Sequence, residues 1–273
     1  MFDGFEGSKR EDKNPESSRQ LLKVAVVGTG RMGRCLTRLL RNYCDITICS
    51  RRPDRASSVA KRLGVGASGI KNCVAKSEIV IAAIPTEDLQ PFVEQISETM
   101  RPGSLFVDIS SVKCGVVEVL SRTLPANIEY ASIHPLFASA AVGQKNVILI
   151  PVRGNRRSPH LKQLLTLSGM HVMESTAEEH DKAMAMVQVL HHFAYLSLRS
   201  AMARLDWGQG RESFKTYAFR KSLAVLKLIE GNLQTIELIQ RRNKYAPFVR
   251  ELFITEAKRL NQQYCCGRDH PSP

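Results

Sequence analysis

Few folds accommodate the stretch Lys23–Gly33, which reads Lys-Val-Ala-Val-Val-Gly-Thr-Gly-Arg-Met-Gly. The apolar run Val24–Val27 suits a buried strand, and the spacing of Cys35, Leu36, Leu39 and Leu40 beyond it is helical. Between them lies Gly28-x-Gly30-x-x-Gly33, in which each glycine has a separate task. Gly28 makes the tight turn, Gly30 lets backbone approach a pyrophosphate, and Gly33 lets helix and strand pack closely. The phosphates of a dinucleotide would rest on unpaired N–H groups at the positive end of the helix, beside Thr29, Arg31 and Met32.

To about Ser175 the chain continues to alternate short β-like runs with helical stretches. After Val24–Val27 come Ile46–Cys49, Ile79–Ile84 ending at Pro85, Leu105–Asp108, Glu129–Ile133 and Val147–Ile150, with His171–Met173 as an edge. That alternation predicts an α/β fold, a Rossmann-type doubly wound parallel sheet over residues 21–175. Residues 1–20 are polar and read as a disordered tail. The character changes at Thr176-x-x-Glu179, a capping box that opens a long helix. Its predicted buried stripe is Ala183, Val187, Leu190, Ala194, Leu198, Ala201 and Leu205. After Trp207-Gly208-Gln209-Gly210, helical spacing resumes over about 214–239 and 248–260, so residues 176–273 read as an all-helical domain for substrate and dimerisation. One thin layer of helices cannot hide that much apolar surface. Docking on the sheet and on a second copy, as a homodimer, is the expectation.

The formal charge of +13 would suit nucleic acid, but the basic residues are spread along the chain and aromatic residues are only 6%, so no stacking platform forms. A positive field equally draws in a phosphate-bearing cofactor and a small anionic substrate. No apolar stretch approaches a membrane span, and no signal peptide is evident. Seven cysteines without a CxxC pair argue against a disulfide framework or a metal site and fit a reducing cytoplasm.

The second strand indicates which dinucleotide. An acid closing it would hold the ribose 2′-hydroxyl of NAD. Here Ser50-Arg51-Arg52 follows Cys49, and a hydroxyl with two guanidinium groups suits the 2′-phosphate of NADP instead. The alternative is a solvated basic turn.

Parallel sheets bind their ligands beyond the carboxyl ends of their strands, where Pro85 and Ser110 are expected at the nucleotide and Ser111 and His134 at the substrate. A histidine at a strand end, followed by the fixed φ of Pro135, is a candidate base. On the long helix Asp181, Gln188, His192 and Arg199 fall within about 20° of one line at about 100° per residue. Such a line faces a cleft, a polar partner or simply water.

Four motifs occur in order: Gly28-x-Gly30-x-x-Gly33, Asp108-x-x-Ser111-Val112-Lys113, His134-Pro135-Leu136-Phe137, and Glu179-His180-Asp181 leading to His192-Phe193. In them the chain resembles the prephenate/arogenate dehydrogenase family, in its short form without a chorismate mutase or regulatory domain, over about residues 22–250. The resemblance implies oxidative decarboxylation of prephenate or arogenate with hydride transfer to NADP, in tyrosine biosynthesis. It casts His134 as base, Ser111 as the group orienting the ring hydroxyl, His192 as a substrate-pocket residue, and Asp181 as the acid sharing the polar network of His192. Arg220, in Phe219-Arg220-Lys221-Ser222-Leu223, matches the arginine that clasps a substrate carboxylate. There are departures: Ala138-Ser139-Ala140 stands where the family usually has glycine after the His-Pro pair, and Ala140 where some members place an acid. The competing readings are a deazaflavin:NADP or imine-reductase-like enzyme of the same plan, which Ser50-Arg51-Arg52-Pro53 also resembles, and a non-catalytic NADP-binding protein.

Overall fold

A computed structural model of the chain describes residues 21–137, 139–141, 143–205 and 212–265. The expected tail at 1–20 and the break at Trp207–Gly210 lie outside the described residues. The order of elements is β1 (Lys23–Val27), α1 (Arg31–Leu40), β2 (Asp45–Cys49), α2 (Pro53–Leu63), β3 (Gly66–Ala67), α3 (Ile70–Lys76), β4 (Ile79–Ala82), α4 (Leu89–Ile96), β5 (Leu105–Asp108), α5 (Cys114–Thr123), β6 (Glu129–Pro135), β7 (Asn146–Arg153), α6 (Ser158–Leu167) and β8 (His171–Glu174). Helices follow: α7 (Ala177–Met184), a π-helical segment (Ala185–Leu190), α8 (His191–Arg204), α9 (Tyr217–Glu230), α10 (Leu233–Arg242) and α11 (Ala246–Cys265).

The eight strands form one Rossmann-like sheet in the order β3-β2-β1-β4-β5-β6-β7-β8. Alternate residues of β1 enter opposite cores. Val24 and Val26 share one core with Leu36 of α1, Val59 of α2 and Leu161 of α6, while Ala25 and Val27 share the other with Val74 of α3, Val93 of α4 and Leu120 of α5. Helices therefore cover both faces, which is why these strands are apolar throughout.

The sheet is parallel except at one join. β6 and β7 are antiparallel, with His134 opposite Ile148 and Pro135 opposite Val147. A parallel return needs a crossover of about a dozen residues, usually a helix. The segment between these two strands contains no helix among its described residues, so the chain turns back on itself. The short β3 is an extra edge strand that the sequence pattern does not announce, and β4 ends at Ala82 rather than Ile84.

The capping box forms as its sequence requires: Thr176 Oγ1 accepts from the Glu179 N–H at 3.1 Å, and Glu179 Oε2 accepts from the Thr176 N–H at 3.2 Å. The long helix it opens is not uniform. At Ala185–Leu190 it widens to π geometry, and Gln240 of α10 donates to the Val189 carbonyl at 2.8 Å. The widened turn re-phases everything after it, and the expected apolar stripe is buried neither before it nor beyond it. Ala183, Val187, Leu198 and Leu205 are exposed, and the buried residues are His180, Asp181, Met184, Ala185 and Val189. A small core of Val112, Val189, Ile239 and Ala246 seats the helices on the loop after β5. No helix among the described residues is long and apolar enough to cross a membrane.

Candidate active site

Two cavities open where the sheet order reverses between β1 and β4, the usual position for a ligand in this architecture. The smaller, of about 440 Å³, is lined by Gly28, Thr29, Gly30, Ser50, Arg51, Arg52 and Pro85. The larger, of about 650 Å³, lies between the sheet and the helices, and Ile84 and Pro85 line both.

The glycines test whether a dinucleotide fits. Gly28 has φ +113°, and a Cβ there would lie 2.2 Å from the Ala83 carbonyl oxygen, so the turn requires glycine. A Cβ on Gly33 would lie 2.1 Å from the Gly28 carbonyl oxygen, so α1 sits hard against the turn. A Cβ on Gly30 would meet nothing within 4 Å, leaving a bare cradle at the helix start. The residues present fit a pyrophosphate there. Arg55, which the sequence reading omitted, joins Ser50, Arg51 and Arg52 at the far end, where Arg51 is paired with Asp88 at 2.8 Å. Of the other residues expected at the nucleotide, Arg31, Met32 and Ser110 line the larger cavity, and Gly33 lines neither.

The walls of the larger cavity are built by the Asp108-x-x-Ser111-Val112-Lys113 loop. Asp108 and Lys113 are fully buried, with Lys113 Nζ 3.6 Å from Asp108 Oδ1. The ammonium also donates to Ser132 Oγ and to the Ile133 carbonyl, each at 2.7 Å, which fastens the β5 loop to the end of β6. Asp108 accepts from the Tyr130 hydroxyl at 2.8 Å and the Ser110 N–H at 2.9 Å. Burial works against its charge, but Lys113 and the surrounding donors outweigh it and hold the carboxyl below its usual range. Ser111 and His134 are thereby brought to line one cavity, with Gln188 and His192 from the helices facing them.

His134 has a partner that the sequence reading left without a role. Its Nδ1 lies 2.8 Å from His180 Nε2, and His180 Nδ1 lies 2.9 Å from Asp181 Oδ1. All three side chains are buried. Asp181 also accepts from the backbone N–H groups of Lys113 and Cys114, each at 2.9 Å. Burial opposes its charge, yet the His180 and backbone hydrogen bonds keep the carboxyl below the usual range. A carboxylate only accepts, so His180 donates through Nδ1; with its Nε2 as the acceptor of the second bond, His134 donates through Nδ1. The Nε2 lone pair of His134 is left over. Burial, then Lys113 and His180, hold the His134 pKa well below the ordinary histidine value, so the ring is neutral near pH 7. Asp181 thus acts on His134 through His180, not on His192 as expected. His180 was legible only as the neighbour of Asp181 in Glu179-His180-Asp181.

The expected polar line on the long helix divides. Asp181 is interior, Gln188 and His192 line the cavity, and Arg199 pairs at the surface with Glu230 at 2.9 Å. Gln188 Oε1 and His192 Nδ1 are buried without a hydrogen-bond partner among the described residues, which marks both for a ligand. Burial and then His191 lower the His192 pKa to about 4. Arg220 does not line the cavity. It is exposed on α9, and its Nη2 donates to the Glu212 carbonyl at 3.1 Å.

Comparisons with known proteins follow this division of the chain. Residues 23–112 match the family model described as NADP oxidoreductase, coenzyme F420-dependent, and residues 176–265 match that of the prephenate dehydrogenase dimerization domain. A probable arogenate/prephenate dehydrogenase of Methanocaldococcus jannaschii is 24% identical over 88% of this chain and 56% of its own length. A 4-amino-4-deoxyprephenate dehydrogenase of Streptomyces pristinaespiralis is 28% identical over 69% of this chain and 64% of its own length. The chain therefore spans little more than half to under two thirds of these relatives. Among solved structures, prephenate dehydrogenase from A. aeolicus in complex with hydroxyphenyl propionate and NAD+ shares the fold, with TM-score 0.75, 18% identity and coverage of 90% of this chain and 91% of that one. Synechocystis arogenate dehydrogenase does so with TM-score 0.71, 20% identity and coverage of 88% and 90%. With a glycine cradle on the sheet, a buried histidine pair beside it and a helical half that matches the dimerization-domain model, the chain is similar to prephenate/arogenate dehydrogenases over both halves.

Proposed function

We propose that this protein oxidises and decarboxylates prephenate or arogenate, passing hydride to NADP+, in the synthesis of tyrosine. The observation that carries the reading is the Asp181–His180–His134 chain, which ends on a neutral imidazole in a cavity adjoining the glycine cradle. Gly28, Thr29 and Gly30 would hold the pyrophosphate, and Ser50, Arg51, Arg52 and Arg55 the 2′-phosphate. When bound, the nicotinamide supplies the hydride acceptor. His134 takes the proton of the ring hydroxyl as positive character builds on its carbon, and Ser111 orients that hydroxyl. Fixing the tautomer through His180 spares the base any reorganisation at the moment of proton transfer. His192 and Gln188, each with an unsatisfied buried atom, contact the substrate. Loss of carbon dioxide makes the ring aromatic and draws the reaction forward.

The nucleotide half alone also suits a deazaflavin-dependent reductase, and its family match favours that reading for residues 23–112. Such an enzyme has no use for the His134, His180 and Asp181 chain. The Methanocaldococcus jannaschii relative and the Synechocystis structure, which match over both halves, carry prephenate or arogenate in their names. The apolar faces of the helical half support a homodimer. Steady-state oxidation of prephenate and arogenate, each with NAD+ and NADP+, tests the reading. Turnover of one ring substrate with kcat/KM at least about tenfold higher for NADP+ is expected. No turnover of either substrate would refute it.

A further inference from the structure

Arg31 is the first residue of α1, and its place in the glycine motif assigns it to the nucleotide phosphates. Its guanidinium goes elsewhere. It lines the larger cavity with Ser111 and His134 rather than the smaller one with Ser50 and Arg52, and its Nη2 donates to Asn232 Oδ1, in the turn between α9 and α10. The bond therefore spans the cleft from the cofactor loop to the helices. Arg31 is the only lysine or arginine among the described residues that line this cavity, and it makes no ion pair with any described acid. A guanidinium held at one edge by an amide keeps most of its five N–H donors for an anion, and its planar fork matches a carboxylate. The exposed position of Arg220 leaves that role open.

We propose that Arg31 binds the side-chain carboxylate of the ring substrate, with Asn232 positioning its guanidinium. The inference rests on the prephenate or arogenate reading of the cavity. Of the two carboxylates on such a substrate, the one on the ring loses its charge as carbon dioxide departs, and a cation clamped on it would stabilise the ground state against the transition state. The remote carboxylate keeps its charge throughout, so a cation there contributes binding without opposing the chemistry.

The test uses the full chain with NADP+ and two phenols, 3-(4-hydroxyphenyl)propionate and 4-ethylphenol, which differ by the carboxylate. Calorimetric titration of wild type, Arg31→Gln and Arg31→Lys gives the affinities. In Arg31→Gln the propionate is expected to weaken about 10- to 100-fold while 4-ethylphenol and NADP+ stay within about threefold, and Arg31→Lys is expected to fall between. Unchanged NADP+ affinity also reports that the variant is folded. Equal weakening of both phenols would overturn the proposal. So would loss of NADP+ affinity with the propionate unaffected, which would return Arg31 to the pyrophosphate. If wild type with NADP+ binds neither phenol, the functional reading falls and this subsite falls with it.

Discussion

A histidine serves as a base when one ring nitrogen is committed as a donor and the other is free. At His134 the commitment is made two hydrogen bonds away, by a carboxylate that reaches it through a second imidazole. The environment also settles its charge: burial, the Lys113 ammonium and His180 all disfavour a protonated ring. A depressed histidine pKa means that the neutral form survives as pH falls through 6.5, and that protonation silences the base only below the depressed value. With the proposed substrate, kcat should therefore stay level from pH 8 to below pH 6. His134→Asn should lower kcat about 10²- to 10⁴-fold with NADP+ affinity unchanged. A pH–rate profile of both proteins checks this, and an acid limb near 6.5 in wild type would contradict it. His134 and Ser111 could be picked out because they stand at strand ends. His180 could not, since nothing in a sequence says which of two adjacent polar residues a helix turns toward another ring.

Among the elements, the β5 loop and the end of β6 depend on a buried ion pair. Lys113 neutralises Asp108 and caps Ser132 and the Ile133 carbonyl, so its removal leaves a carboxylate and two acceptors in a dry interior. Lys113→Met should cost about 3–5 kcal/mol, and pairing it with Asp108→Asn should recover part of the loss. Urea denaturation of the single and double variants measures both. The π-helical segment shifts the long helix out of α-helical phase beyond residue 184. Periodicity of about 100° per residue holds only while the helix stays α, and the Gln240 bond to the Val189 carbonyl belongs to a turn that does not. The capping box, made of residues three apart, was fully local and formed as read.

Across the described residues, most of the exposed large apolar side chains belong to the helical half. Met186, Val187, Phe214, Tyr217, Leu228, Phe248 and Leu252 all face outward. A set of this size on one half marks an interaction surface, and the homodimer proposed above would cover it. Wild type should sediment as a dimer. Phe248→Glu combined with Leu252→Glu, one turn apart on α11, should yield monomers with unchanged secondary structure, as sedimentation velocity and circular dichroism would report. A monomeric wild type would exclude the dimer.

The sequence by itself determined the strand–turn–helix unit at the first glycine turn, the cofactor class that the cradle suits and the candidate base. Each of these rests on contacts between residues close in the chain, where strand length, turn chemistry and capping act within a few positions. Tertiary structure alone decided the reversal of β7, the π turn, the link from Asp181 through His180 to His134, and which arginine reaches the cavity. Those outcomes depend on groups many residues apart competing for one buried hydrogen bond or one opening, and spacing along the chain carries no record of that competition.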